Sequence, residues 1–332
     1  MNGKRWIALG IAALLLLVSV SFQFVSTIAT GNFEGMFEAG DEPWEEHIVE
    51  DGSELGRIAV IDLEGVIQDT GTDQGLFSGG YNHREFLYML ERAGENNDIE
   101  GIIINVNTPG GGVVESAEIH DRIVEIQEEQ GKPVYVTMGN QAASGGYYVA
   151  APADRIIAHP ATITGSIGVI MQNINITELA DDLGVDFTTI QSGPYKDIMS
   201  ATREMTDDEE EILQSIIDEF YDDFVTVIDN GRDNLTEQEV RELGDGRIYS
   251  GTQAHDVGLV DDLGTLANAI DIMKEEYGLE GSQVVRFEPT FRFNQFLGVT
   301  ARNLVVSDME LLGINKLLTE PNAPRAMYLY TE

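Results

Sequence analysis

The sequence predicts an α/β fold with one main core, because three features recur from Arg57 onward. Short β-branched runs, such as Ile58 to Leu63 and Gly101 to Val106, suit strands buried on both faces. Segments with helical apolar spacing lie between them, among them His83 to Ala93 and Val113 to Gln130. Strand and helix alternate in order, the pattern of a largely parallel sheet covered by helices.

Taken in order, Ile58 to Leu63 reads as a strand and His83 to Ala93 as a helix with Phe86, Leu87 and Leu90 on one face. Gly101 to Val106 is the next strand. Val113 to Gln130 is a helix closed by Gly131 and followed by Pro133. A strand at Val134 to Val136 leads towards Ser144, and an apolar helical run from Tyr147 to Ala151 ends at Pro152. A strand at Arg155 to Ala158 and a segment at Ser166 to Met171 follow. A short helix at Glu178 to Leu183 precedes a strand expected at Asp186 to Gln191. Thr206 and Glu209 form a capping box for a long helix. Its stripe of Leu213, Ile216, Ile217, Phe220, Phe224 and Ile228 is core or an oligomer contact. After Pro289 the texture turns apolar and less periodic.

The 332 residues suffice for one or two domains with a sizeable core. A net charge of −39 in a chain that is 42% hydrophobic, with five lysines and fourteen arginines against 58 acidic residues, points to a surface kept hydrated in concentrated salt. The expectation is a halophilic protein that unfolds on transfer to low salt. The same charge disfavours nucleic acid or an anionic membrane surface as a partner. The absence of cysteine excludes thiol catalysis, disulfides and thiolate metal sites. No cofactor or metal is expected.

Lys4 and Arg5 precede an uncharged run from Trp6 to about Thr30, the length of a membrane-spanning helix. A cleaved signal peptide, processed near Thr27 to Thr30, is the alternative. Nine acidic residues and no lysine or arginine fall between Gly31 and Glu54, so the positive-inside rule puts the N-terminus in the cytoplasm and the bulk outside. The expected organisation is a cytoplasmic N-terminus (1–5), an anchor (6–30), an acidic linker (31–56), the α/β domain (57–289) and a C-terminal segment (290–332).

The stretch from Asn140 to Ala150, N-Q-A-A-S-G-G-Y-Y-V-A, sets Ser144 between a strand and a helix start. Small neighbours, Ala143 and Gly145, let a backbone approach the hydroxyl closely. The arrangement follows the logic of a nucleophile elbow, with Ala142 in place of the first glycine of G-x-S-x-G. A helix start with an N-cap serine is the plain structural alternative. The loop from Asn107 to Gly112, N-T-P-G-G-G, also follows a buried strand and opens a helix, so its N–H groups can face an anion. It lacks the Lys-Ser/Thr pair of a phosphate-binding P-loop. Its better use is as one half of an oxyanion hole, with the Gly145 N–H as the other half. A flexible glycine turn is the remaining option.

A serine nucleophile needs a base. Of the histidines only His159 is near the elbow in the chain, and a surface turn explains it equally well. Among the lysines, Lys196 in S-G-P-Y-K-D stands in a loop of the predicted domain, with an ordinary ion pair to Asp197 as its structural alternative. A lysine acts as a base only as the free amine. Burial favours that form, whereas a negative background favours the ammonium.

Together Q-A-A-S-G-G-Y-Y-V-A-A-P-A-D, N-T-P-G-G-G-V, T-G-S-I-G-V, S-G-P-Y-K-D, D-G-R-I-Y-S-G-T-Q-A-H-D-V-G-L-V-D and the closing P-R-A-M-Y-L-Y resemble the signal peptide peptidase A family of serine proteases. The resemblance runs from about Ile58 to the C-terminus. It implies a fold of the Clp-protease and crotonase type and a Ser–Lys dyad, with Ser144 as nucleophile and Lys196 as general base. Ser166 matches the serine that orients the lysine, and Gly111 and Gly145 match the oxyanion-hole positions. It also implies a short form that assembles into a ring- or dome-shaped homo-oligomer, each site taking its serine and lysine from neighbouring protomers. The implied substrates are remnant signal peptides or other hydrophobic peptides at the membrane. Two other readings are a crotonase-type enzyme acting on a coenzyme A thioester and a non-catalytic peptide-binding scaffold. The external location and lack of an adenine-pocket signature weigh against the first, and the intact Ser144 and Lys196 against the second.

Overall fold

The computed structural model describes residues 44–69, 81–289 and 326–330. The anchor expected at 6–30 lies outside them, and among the described residues no helix is long and apolar enough to cross a membrane. The chain forms β1 (Trp44–Glu50), β2 (Ser53–Glu64), α1 (His83–Glu95), β3 (Ile99–Thr108), β4 (Gly110–Gly112), α2 (Val113–Gln130), β5 (Val134–Ala143) and α3 (Gly145–Ala150). It continues through β6 (Arg155–Ala158), β7 (Ile163–Gly165), α4 (Thr177–Asp182), α5 (Asp207–Gly231), α6 (Glu237–Leu243) and β8 (Ile248–Ser250). Last come α7 (Gly251–Asp256), β9 (Asp262–Leu263), α8 (Leu266–Tyr277), β10 (Ser282–Pro289) and β11 (Met327–Leu329).

The main sheet runs β1-β10-β2-β3-β5-β6-β9. Every pairing from β10 to β9 is parallel, and β1 lies antiparallel on the edge. Alternate residues feed two cores, as the period of a strand dictates. Ala59, Ile61, Ile102, Ile104 and Val136 pack with Phe86 and Leu90 of α1 and Ile119 and Ile123 of α2. Ile58, Val60, Ile103 and Tyr135 face the other way, against Ala269, Ile270 and Met273 of α8. Each fully buried aliphatic side chain of this kind stabilises the fold by about 1.5–3 kcal/mol, so both faces of the central strands hold the domain together. Helix α8 rests directly on β3, since a Cβ on Gly101 would lie 2.6 Å from the Met273 sulfur.

Strand β5 is long enough for two successive neighbours on one side. Tyr135 to Met138 pair with β6, and Gln141 to Ala143 pair with β7. This fork brings β7 to the C-terminal end of the parallel strands, the end at which open α/β sheets hold their ligands.

Two expectations need correction. Residues 44–56, read as part of an acidic linker, instead form β1 and the start of β2. Trp44 is buried and stacks on Phe287 with ring centroids 5.4 Å apart, while Glu45, Glu46 and His47 face outward. An edge strand with one buried anchor shows little alternation, so its acidic composition masked it. The strand expected at Asp186 to Gln191 does not form; the chain there is irregular and exposed. Strand propensity yields a strand only where a ladder is available, and among the described residues nothing pairs with this run. Phe187 and Ile190 are left in the open, Ile190 at 96% exposure.

The long helix begins as its capping box requires, Thr206 accepting from the Glu209 N–H and Glu209 accepting from the Thr206 N–H. Arg203 extends this joint. Its Nη1 donates to Glu209 Oε2 at 2.8 Å, and its Nε and Nη2 each donate to the Asp197 carboxylate at 2.8 Å. The arginine hydrogen bond, followed by the Thr206 N–H, pulls the Glu209 carboxyl down to about 2 from its ordinary 4.5. A carboxyl held low in the folded state stabilises the fold above its ordinary value, and that contribution fades as pH falls towards the lowered one. Glu209→Gln should therefore melt below the native chain at neutral pH, and the gap should close as pH drops from about 4.5 to about 2. Calorimetry of both chains across that range checks this; a gap that persists at the acid end would show that the carboxylate charge does not hold the joint.

Candidate active site

The tip of β5 is held from both sides. Ala142 stands opposite Thr108 of β3 and Ala143 opposite Gly165 of β7. The Ser144 N–H then donates to the Gly165 carbonyl at 2.8 Å, while the Ser144 carbonyl already accepts from Tyr147 and Tyr148 at 2.9 Å. Sheet must become helix within one residue, and Ser144 pays with φ 54° and ψ −115°. A non-glycine residue in such a conformation costs of order 1–3 kcal/mol, and the paired backbone on either side enforces it. The serine is buried, yet its hydroxyl makes no capping bond to the helix it opens. The N-cap explanation therefore does not describe this serine.

Two glycine backbones close in on it. A Cβ on Gly111 would lie 1.9 Å from the Ile67 carbonyl oxygen, and one on Gly145 would lie 2.6 Å from Ser116 Oγ and 3.1 Å from the Gly111 nitrogen. Ile67 fixes the loop from one side, its N–H donating to the Gly110 carbonyl and its own carbonyl accepting from the Gly112 N–H, both at 2.8 Å. The Gly145 N–H is one of the donors that a helix start leaves unpaired within the helix.

The other side of β4 carries the C-terminal tail. Strand β11 lies antiparallel on it, with Tyr328 opposite Gly111, and the Tyr330 N–H donates to the Pro109 carbonyl at 2.8 Å. Hydrogen-bonded pairs alternate along such a ladder, so Tyr328 and Gly111 exchange both of their N–H···O bonds. The Gly111 N–H thus donates to the Tyr328 carbonyl. That oxygen also stands beside the Gly145 amide: a Cβ on Gly110 would meet the oxygen at 2.1 Å and the Gly145 nitrogen at 2.6 Å. On its outer edge the tail bonds to Ile170, Met327 N–H to the Ile170 carbonyl at 3.0 Å and Ile170 N–H to the Met327 carbonyl at 3.1 Å. A peptide strand therefore lies between β4 and Ile170 with one carbonyl at the two glycine amides.

Ser144, Gly145 and Gly111 are gathered at one point. Ser166 follows Gly165 directly, half-buried at φ 51°, its N–H bonded to the Arg247 carbonyl. Lys196 lies on an exposed turn, and its Nζ makes no hydrogen bond or ion pair with any described residue, Ser144 and Ser166 included. The ion pair with Asp197 does not form either, because Asp197 is taken by Arg203. His159 is exposed, and its Nδ1 accepts from the Ala161 N–H as a turn cap. Ile170 and the residues around the Tyr328 side chain were not anticipated; only the fold brings them to the site.

The profile of peptidase family S49 matches residues 126–280. A relative from Enterococcus faecium named for signal peptide peptidase SppA is 37% identical over 352 residues, covering 99% of this chain and 99% of its own. This chain belongs to peptidase family S49. Protease 4 of Haemophilus influenzae is 33% identical over 215 residues, 65% of this chain and 34% of its own. The chloroplastic serine protease SPPA of Arabidopsis thaliana is 29% identical over 240 residues, 71% of this chain and 35% of its own. The S49 chain thus spans about a third of each of these two longer relatives. The family read from the motifs is confirmed, as are the mixed α/β sheet and the assignment as a serine protease of the signal peptide peptidase A kind.

The strain at Ser144 gives a direct test of the site's geometry. Ser144→Gly should raise the unfolding free energy by about 1 kcal/mol, because glycine accepts positive φ at little cost. The same change should abolish peptide hydrolysis. Denaturant unfolding and a peptide assay on the two chains check both halves, and a less stable glycine variant would refute the strain.

Proposed function

We propose that this S49 member is a membrane-anchored endopeptidase that uses Ser144 as nucleophile and Lys196 of a neighbouring copy as base to cut remnant signal peptides or other hydrophobic peptides. The observation that carries the reading is a strained, uncapped serine beside two glycine amides, one of which already binds a backbone carbonyl of an extended strand. The anchor is residues 6–30, and the catalytic domain lies outside the cytoplasm. The fold is read as the Clp-protease and crotonase type, a reading supported by the glycine loop after β3 and the serine after β5 of one parallel sheet.

The Lys196 region supports a shared site. Among the described lysines, Lys132 donates to the carbonyls of Ala93 and Asn96, and Lys274 pairs with Glu50, but Lys196 has no acceptor. It sits on an exposed stretch with Ile174, Leu183, Phe187 and Ile190 uncovered. A second copy docked there would cover these side chains and desolvate the amine, which favours its neutral form. The site is then completed only in the homo-oligomer, in the salt that suits so acidic a surface.

In the reaction, neutral Lys196 removes the Ser144 hydroxyl proton as Oγ bonds to the peptide carbonyl carbon. The oxyanion is held by the Gly111 and Gly145 N–H groups. Ser166 orients the lysine, which then protonates the departing amine as the C–N bond breaks. Water, deprotonated by the same amine, hydrolyses the acyl-enzyme and restores Ser144.

Ser144→Ala and Lys196→Ala should each lower kcat/KM by about 10³-fold or more. Co-expressed in equal amounts, the two inactive chains should regain activity at about a quarter of the sites, where an intact serine meets an intact lysine across an interface. Full activity in Lys196→Ala would sink the dyad, and no recovery in the mixture would sink the sharing.

A further inference from the structure

Lys196 has an acid for its next residue, and the backbone between them is not a strand that would send the two side chains to opposite faces. Gly193 to Ser200 is a run of turns. The Lys196 N–H donates to the Gly193 carbonyl and the Ile198 N–H to the Tyr195 carbonyl, both at 3.3 Å, and the Ser200 N–H to the Asp197 carbonyl at 2.9 Å. An amine beside a free carboxylate is held as the ammonium, which cannot act as a base.

The carboxylate is not free. Arg203 takes both of its oxygens, Nε donating to Oδ2 and Nη2 to Oδ1, each at 2.8 Å, and Nη2 also reaches the Asp197 carbonyl at 3.2 Å. Its Nη1 donates to the Glu204 carbonyl at 2.9 Å and to Glu209 at 2.8 Å. Every face of the guanidinium fork is therefore committed, and buried Glu209 fixes it to the start of α5. Lys196 pairs with none of these groups. Nor does it pair with Asp207, Asp208 or Glu210 in the first turn of α5, or with Glu178, Asp181 or Asp182 of α4. That short helix adjoins the turn through the Ile176 N–H, which donates to the Ala201 carbonyl at 2.7 Å.

We propose that Arg203 is a positioning residue for the base: it holds the Asp197 carboxylate away from Lys196, so that the amine meets Ser144 without its proton. This role rests on Lys196 acting as the base. The Asp197 carboxyl lies below its ordinary value, chiefly through the Arg203 hydrogen bond, so it remains a carboxylate bound to the arginine wherever a lysine could act.

The test follows kcat/KM against pH for the full-length assembled chain on one quenched peptide, with all variants in the same salt. Activity rises as the base loses its proton, so the acid limb of the profile reports the Lys196 amine. In Arg203→Gln the released carboxylate should move that limb up by about one pH unit, a loss of about tenfold below it, with the plateau above it within about twofold of native. Adding Asp197→Asn should return the limb to its native position. Arg203→Lys keeps the charge but lacks the fork that fits a carboxylate, and should shift the limb in the same direction even where Arg203→Gln fails to assemble. A loss of equal size at every pH, or one that Asp197→Asn leaves in place, would reduce the arginine to a structural brace and overturn the proposal. Activity retained in Lys196→Ala would instead overturn the base reading beneath it.

Discussion

The single bond from the Ser144 N–H to the Gly165 carbonyl decides how the end of β5 behaves. It extends the β5–β7 ladder by one donor after the sheet has stopped, and the next residue is already helical. The chain can satisfy both partners only by turning Ser144 into the positive-φ region, which leaves its hydroxyl outside the helix's own bonding scheme. The fork of β5 between β6 and β7 supplies that carbonyl, and the parallel sheet supplies the fork. Both cores support the same end point, because the strands they bury finish at it.

Charge is distributed with similar economy. In a chain of net −39, arginines are used as joints: Arg203 ties the Lys196 turn to the start of α5, and buried Arg232 pairs with Asp261, whose carboxylate also accepts the Ile156 N–H. Burial is the largest single influence and disfavours the Arg232 charge, but the Asp261 hydrogen bond and the nearby charges of Tyr147, Asp261 and Asp233 together outweigh it, and the guanidinium is held above its ordinary value. Against that background Lys196 is conspicuous for being held by its loop while its amine has no acceptor among the described residues.

What could be read from the sequence was local. Val113 to Gln130 was placed to the residue because Gly131 ends it in the left-handed conformation at φ 67°. The Thr206–Glu209 capping box was equally plain. Ser144 and Gly145 stood out as small residues between a strand and a helix, whereas Gly111 was singled out within its glycine loop by the family resemblance. What escaped depends on distant partners. Trp44 acquires its meaning from Phe287, and the run at Asp186 to Gln191 has strand composition but no neighbour. The tail's pairing with Gly111 joins residues more than two hundred positions apart, and no periodicity records it.

The groove holds the tail on both of its backbone edges. Residue 327 bonds to Ile170, residue 328 to Gly111 and residue 330 to Pro109, so successive positions are claimed by opposite walls. Only a lone strand can offer free N–H and C=O groups to left and right at once. Helices, hairpins and finished sheets have already committed theirs, so under the proposed function a chain taking the tail's place would have to be one that has lost, or never had, a structure of its own.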